Sequence, residues 1–182
     1  MSVQVLPRIE TDVISEEYGR FIIGPLERGF GITIGNALRR VLLSSLGGAA
    51  VTKVRISDVP HEFTTIPGAR EDVMHFILRV KQLKLEMDGE EQMHMSLHAE
   101  GGGTVTAGDI IAPPEIEVLN PDLELLIVDD DDSSIDIDFT VERGWGYRPA
   151  EEEETGIIGE MQIDAVFSPV RRVAWDVDRA RV

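Results

Sequence analysis

Most of the chain alternates apolar and polar residues with a period of two, which is typical of β-strands with one buried face. The strictest case is 135–141, where apolar residues alternate with aspartates and a threonine, so we expect one face of this strand to meet water. Glycine, proline and polar residues separate the segments. The predicted strands cover residues 3–6, 20–23, 51–56, 93–97, 116–118, 123–128, 135–141 and 172–177.

A helical period of 3.6 replaces this alternation over residues 34–46, which are predicted to form an α-helix. Thr33 is the predicted N-cap, because its hydroxyl can accept a hydrogen bond from a free backbone N–H of the first turn. Gly47 and Gly48 are predicted to end the helix, since glycine adopts the left-handed cap conformation without strain. The stripe consists of Ile34, Ala37, Leu38, Val41, Leu42 and, at its end, Ser45.

The opposite face of this helix carries Asn36, Arg39, Arg40 and Leu43, so one leucine lies outside the apolar stripe. The leucine has two interpretations. Either the helix lies on the surface with a single stray apolar residue, or it packs on its own domain with one face and on a partner with the other. Spacing alone leaves both open and slightly favours the first.

A second helix is predicted where Val73, Phe76, Ile77, Val80 and Leu83 recur at helical spacing. Pro67 and Gly68 precede it, and residues 87–89 are predicted to close it. The chain contains no internal repeat.

Charge is unevenly distributed along the 182 residues, whose formal net charge is −17. Residues 1–48 hold equal numbers of acidic and basic side chains, whereas residues 100–170 hold nineteen acidic residues against two arginines. Such a surface repels phosphate backbones and anionic lipids, so we expect no direct DNA binding by this segment and no membrane partner. With no cysteine and no leader-like or long apolar segment, we expect a soluble cytoplasmic protein.

No residue pattern predicts an active site or a cofactor. Glycines 29, 31 and 35 resemble a dinucleotide-binding loop, but the last spacing is one residue too long and no acidic residue follows about 20 positions later. The run Asp129–Asp132 is interpreted as a solvated hairpin turn, because adjacent carboxylates in an extended chain point apart. Residues 151–154 are interpreted as a mobile charged loop. His94 and His98 lack a third ligand in an obvious rigid geometry, which disfavours zinc.

The segment 26–45, LERGFGITIGNALRRVLLSS, closely resembles the signature of bacterial RNA polymerase alpha subunits. Further motifs follow in the family's order, so the resemblance covers the whole chain. They are HEFTTIPG at 61–68, EDV at 71–73, LNPDL at 119–123, TVERG at 140–144, GY at 146–147 and FSPVRRV at 167–173.

The resemblance implies an α+β fold with two subdomains. A mixed α/β dimerisation subdomain, residues 1–48 and 172–182, would be interrupted by a mostly β insert subdomain, residues 49–171. It also implies a dimeric scaffold that carries no catalytic residues, metal or cofactor of its own. In the family one copy holds the beta subunit and the other holds the beta-prime subunit, while nucleotidyl transfer belongs to the complex.

The resemblance also assigns roles on the first predicted helix. Arg40 and Leu43, with Arg39 beside them, match the family's contact with the beta subunit, and Ile34, Leu38, Val41 and Leu42 would face the dimer interface. Family members continue through another strand and a long helix that complete this interface. A chain that ends at Val182 is therefore expected to dimerise weakly or not at all on its own.

Two other functions remain as alternatives at this stage. One is an assembly subunit of an archaeal-type polymerase, which the run around Phe167 and the length of the insert disfavour. The other is a metal-dependent hydrolase that would use the acidic runs at 129–132 and 151–154. Titration with magnesium or manganese would separate this hydrolase from a scaffold.

Overall fold

Strands outnumber helices in the computed structural model, which describes residues 6–15, 17–89, 92–150 and 159–179. The α+β class predicted from the sequence is confirmed. A short 3-10 turn, Ala107–Asp109, joins two of the strands. In chain order the elements are β1 (Arg8–Ile14), β2 (Gly19–Gly24), α1 (Phe30–Ser44), β3 (Gly47–Ile56), α2 (Val73–Val80), β4 (Leu85–Met87), β5 (Gln92–Glu100), β6 (Gly103–Thr106), β7 (Ile110–Ile111), β8 (Ile116–Val118), β9 (Glu124–Val128), β10 (Ser134–Trp145), β11 (Tyr147–Arg148), β12 (Glu160–Gln162) and β13 (Ala165–Val166).

The chain separates into two compact units. The first unit comprises Met1–Leu43 and Arg172–Val182, and the second comprises Ser44–Arg171. The first unit therefore contains β1, β2 and nearly all of α1. The boundary that the sequence placed after residue 48 falls inside β3, because Gly47 and Gly48 already pair with the neighbouring strand β10.

In the first unit, β1 and β2 form an antiparallel hairpin. Asp12 is an extra residue in β1, because Thr11 pairs with Phe21 and Val13 with Arg20. The carboxylate of Asp12 lies 3.3 Å from Nε of Arg20 and links the strands at this bulge. The strand predicted over residues 20–23 is thereby confirmed, whereas residues 3–5 of the predicted first strand lie outside the described part of the chain.

Helix α1 begins three residues before its predicted cap. The backbone N–H of Phe30 donates to the carbonyl of Glu27, and Gly29 between them has a φ of 92°, as the third position of a type II turn requires. This turn leads the chain directly into the helix, so Thr33 lies inside α1 and its assignment as N-cap is wrong. Gly47 and Gly48 are not left-handed caps either, because both belong to β3.

In the second unit, a seven-stranded sheet has the order β7-β5-β10-β3-β4-β8, with β12 also paired to β3. Two smaller sheets, β6 with β9 and β11 with β13, complete the strand pairing. Every pair in the seven-stranded sheet is antiparallel. Thr52 is an extra residue in β3 opposite β10, and its hydroxyl donates to Oε1 of Glu142 at 2.9 Å. This bond satisfies a buried polar group at the bulge.

The core of the second unit lies between this sheet and α2. Along β10 the apolar side chains of Ile135, Ile137, Phe139 and Val141 are all buried, as the alternation predicts. Thr140, which the same pattern places on the wet face, is also buried, at the register shift opposite β3. Helix α2 buries Val73, Phe76 and Val80 on one face. It ends at Val80 rather than at residue 83, and residues 85–87 form β4 instead of closing the helix.

The N-terminus of α2 is capped by Asp72, whose Oδ1 accepts the backbone N–H of His75 at 2.7 Å. This hydrogen bond is the main reason that the pKa of Asp72 lies below its usual value. The side-chain Nδ1 of His75 lies 2.8 Å from the same oxygen. The cap fixes the point at which the preceding loop turns into the helix.

The strand predicted over residues 172–177 is absent. Residues 171–179 have no regular secondary structure in the structure. An alternating pattern specifies which face of a strand is apolar, but a strand also requires a neighbour that accepts its backbone hydrogen bonds. The described residues of the first unit supply no such neighbour for this segment.

Candidate subunit interface

The three residues assigned to a partner contact lie together on α1. At about 100° of rotation per residue, the side chains of Arg39, Leu43 and Arg40 leave the helix within an arc of about 100°. Both arginines are exposed and Leu43 is half-buried. This surface, here called the docking face, therefore combines two guanidinium groups with one apolar side chain.

The apolar stripe on the other side of α1 is also largely accessible. Leu38 is 41% exposed and Val41 is 51% exposed, while Ile34 and Leu42 are half-buried. None of the residues of α1 is buried. The first unit therefore leaves this stripe only partly covered.

The same feature extends over the whole first unit, in which no described residue is buried. In contrast, the second unit supplies every buried apolar residue of the described chain. Soluble monomeric domains rarely leave apolar surface of this extent exposed. The large exposed apolar residues of the first unit are Leu6, Ile9, Val13, Ile14, Tyr18, Phe21, Ile22, Phe30, Ile32, Leu38, Val41, Trp175 and Val177.

The segment 175–177 packs directly on the backbone of α1. A methyl group added at Gly35 would lie 2.5 Å from Cδ2 and 2.7 Å from Cε3 of the Trp175 ring. A methyl group at Gly31, one turn earlier, would lie 3.1 Å from Cγ1 of Val177. These glycines allow the segment to approach the helix more closely than any side chain would permit.

Sequence reasoning did not predict the contact of Trp175 with Gly35. Residues 172–177 were interpreted as a strand that could cover part of the apolar stripe, and Gly31 and Gly35 were weighed as part of a nucleotide loop and of the family signature at 26–45. The available signal was the glycine spacing of four within an apolar helical pattern. Glycine weakens a helix interior, so this spacing indicates that something packs closely on that side.

The run Asp129–Asp132 connects β9 to β10, but the connection is not a hairpin because β9 pairs with β6. It is also not simply solvated. Oδ1 of Asp129 accepts a hydrogen bond from the guanidinium of Arg70 at 2.6 Å, which raises the pKa of Arg70. The carboxylate of Asp131 accepts the backbone N–H of Gly102 at 3.3 Å. Two of the four aspartates thus attach the connection to neighbouring loops.

His94 and His98 have separate hydrogen-bond partners in the second unit. Nδ1 of His98 lies 2.6 Å from Asp136 and its Nε2 lies 3.0 Å from Glu100, whereas Nδ1 of His94 lies 3.4 Å from the hydroxyl of Thr140. The bond to Asp136 is the main cause, and the bond to Glu100 the second, of a raised pKa for His98. Within the described ranges, no three acidic or histidine side chains converge as a metal site would require. The run 151–154 lies outside these ranges.

Neither helix of the described chain combines the length and the apolar character needed to cross a lipid bilayer.

Comparison with known proteins places the second unit within a recognised domain family. Residues 54–168 match the model of the RNA polymerase Rpb3/RpoA insert domain. The chain is 50% identical to the DNA-directed RNA polymerase subunit alpha of Carboxydothermus hydrogenoformans over 178 residues, which are 97% of this chain and 56% of that protein. It is 51% identical to the subunit of the same name from Desulforudis audaxviator over 180 residues, covering 97% and 57%. The chain thus spans little more than half the length of these curated relatives.

Proposed function

The chain belongs to the family of bacterial RNA polymerase alpha subunits, and on this premise we propose that it is an assembly scaffold of that enzyme. In this proposal its first unit pairs with a second copy and holds the beta subunit, and the dimer also recruits the beta-prime subunit. The chain contributes no catalytic residue, metal or cofactor, and nucleotidyl transfer is carried out by the assembled complex in the cytoplasm.

The observation that carries this proposal is that none of the described residues of the first unit is buried. Burial of apolar surface drives both folding and association, and the first unit buries none of its described side chains completely. A second copy supplies a matching apolar stripe through a two-fold axis, because each copy then presents the same surface to the other. Ile34, Leu38, Val41 and Leu42 are the proposed contacts between the copies.

The docking face is the proposed contact with the beta subunit. The guanidinium groups of Arg39 and Arg40 offer several rigidly placed donors for a carboxylate or a carbonyl group. Leu43 adds an apolar contact beside them. Arginine together with apolar neighbours commonly supplies a large part of the binding free energy at protein interfaces.

The charge of the second unit supports a role in protein contacts rather than DNA contacts. The acidic residues that dominate residues 100–170 provide no counterion release on a phosphate backbone. A bacterial polymerase is favoured over an archaeal-type one, because bacterial relatives are about half identical over 97% of the chain.

A binding experiment with purified beta subunit from the same organism tests the scaffold. Immobilised beta subunit should capture the folded 182-residue chain, as measured by surface plasmon resonance. A chain that is folded by circular dichroism but does not bind the beta subunit would contradict the proposal.

Sedimentation over a wide concentration range tests the pairing of two copies. The parent should show weak, concentration-dependent association, and Val41→Asp should abolish it by placing a charge within the apolar stripe. Asn36→Asp adds the same charge outside the stripe and serves as the control that leaves association unchanged. Association that Val41→Asp leaves as strong as in the parent would show that the copies do not pair through this stripe.

A further inference from the structure

The contact between Trp175 and Gly35 lies on α1 between the two faces that the proposed function uses. At 100° per residue, Gly35 is separated by about 60° from Leu38 of the apolar stripe and by about 40° from Arg39 of the docking face. Gly31 lies one turn earlier on the same side of the helix. The segment 175–177 therefore packs on the side of α1 that lies between the apolar stripe and the docking face.

We propose that Trp175 is a positioning residue for α1, which keeps the docking face separate from the face that meets a second copy. This inference rests on the proposed function and extends it to the side of the helix that touches neither partner. The ring of Trp175 occupies the space of the side chain that Gly35 lacks, and Val177 does the same at Gly31. These two contacts thereby set the distance between α1 and the segment 175–177.

Two features make this contact more than incidental packing. Glycine in a helix interior is less favourable than alanine, so Gly35 weakens α1 by itself, and the space that it leaves is filled by the ring of Trp175. Among the exposed large apolar residues of the first unit, Trp175 has the lowest exposure, at 38%. Since no described residue of the first unit is buried, the close approach of this ring to the helix backbone helps to fix the position of α1.

Fluorescence of Trp175 reports the contact directly. The chain contains two tryptophans, so Trp145→Phe leaves Trp175 as the only one. In this background Gly35→Ala should displace the ring, shift its emission to longer wavelength and increase its quenching by acrylamide. Gly24→Ala is the matched control, because a methyl group there meets no atom within 4 Å.

Capture by the beta subunit then reports the consequence. Gly35→Ala should weaken capture at least tenfold although it leaves Arg39, Arg40 and Leu43 in place. Adding Trp175→Val to Gly35→Ala should restore most of the binding, because the smaller side chain accommodates the methyl group. If the second substitution restores binding of the beta subunit, then binding depends on the spacing between the segment 175–177 and α1 and not on a glycine at position 35 as such.

A second variant keeps the test decisive if Gly35→Ala does not fold. Trp175→Ala introduces no clash and should also weaken capture, whereas Trp175→Tyr should retain it because an aromatic ring remains on Gly35. Unchanged Trp175 fluorescence in Gly35→Ala, or full capture by either single variant, Gly35→Ala or Trp175→Ala, would overturn the inference alone. A parent chain that does not bind the beta subunit would overturn the proposed function, and this inference with it.

Discussion

The ring of Phe76 on α2 lies 6.3 Å, centroid to centroid, from the ring of Phe139 on β10, and both side chains are completely buried. This tilted pair joins the helix to the middle of the seven-stranded sheet. Aromatic pairs in such geometry stabilise a fold beyond the area they bury. The second unit is therefore expected to depend strongly on this contact.

Replacement of Phe76 tests that dependence. Phe76→Ala should lower the free energy of unfolding of the second unit by about 3–5 kcal/mol, because it removes a buried ring and leaves a cavity. Leu78→Ala on the same helix is the control, since Leu78 is 53% exposed and should change stability by less than about 0.5 kcal/mol. Urea unfolding followed by circular dichroism measures both, and equal effects of the two changes would contradict the assignment of the core.

Gly48 provides a second test, at the start of β3. A methyl group added at Gly48 would clash with the backbone carbonyl oxygen of Phe167, which cannot move as a flexible side chain does. Gly48→Ala should therefore destabilise the second unit by about 1–3 kcal/mol. The same substitution at Gly24, where space is open, should have little effect on unfolding. A Gly48→Ala variant as stable as the parent would show that β3 does not pass so close to Phe167.

Arg40 tests the docking face. Arg40→Ala should leave the chain folded and weaken capture by the beta subunit by about 2 kcal/mol, roughly thirtyfold, as truncation of an interface anchor does. Leu43→Ala should act in the same direction. Arg28→Ala removes an exposed arginine before α1 and should bind normally. If Arg40→Ala and Leu43→Ala bind as well as the parent, another surface holds the beta subunit.

The ionisation of His98 is expected to make the stability of the second unit depend on pH. Its pKa is raised in the folded state by Asp136 and Glu100, so its contribution is fully present below the unfolded pKa of about 6.5 and is lost as pH rises through the folded pKa. Titration by NMR should therefore place His98 above 6.5, and Asp136→Asn should lower its pKa. Asp138→Asn removes a charge from the same strand but no bond to His98, and should change the pKa less. Titration of His98 at or below 6.5 would refute the bridging geometry.

The periodic pattern predicted the elements that are held by local or same-face contacts. The strand around Phe139 and the helix around Phe76 were predicted correctly because each buries one regular face, and such a face is visible in the spacing of apolar residues. Element ends were predicted less well. Thr33 was assigned as a cap because it has the right side chain, but the turn closed by Gly29 starts the helix at Phe30.

The sequence alone determined the family, the α+β class and the buried apolar face of β10. Only the tertiary structure showed that the ring of Trp175 packs on Gly35. It also showed that Gly48 belongs to a strand and that Asp129 forms an ion pair with Arg70. The physical reason is the range of the forces involved. Periodicity records which side of an element avoids water, whereas close packing and ion pairing depend on residues far apart in the chain, whose meeting no local spacing encodes.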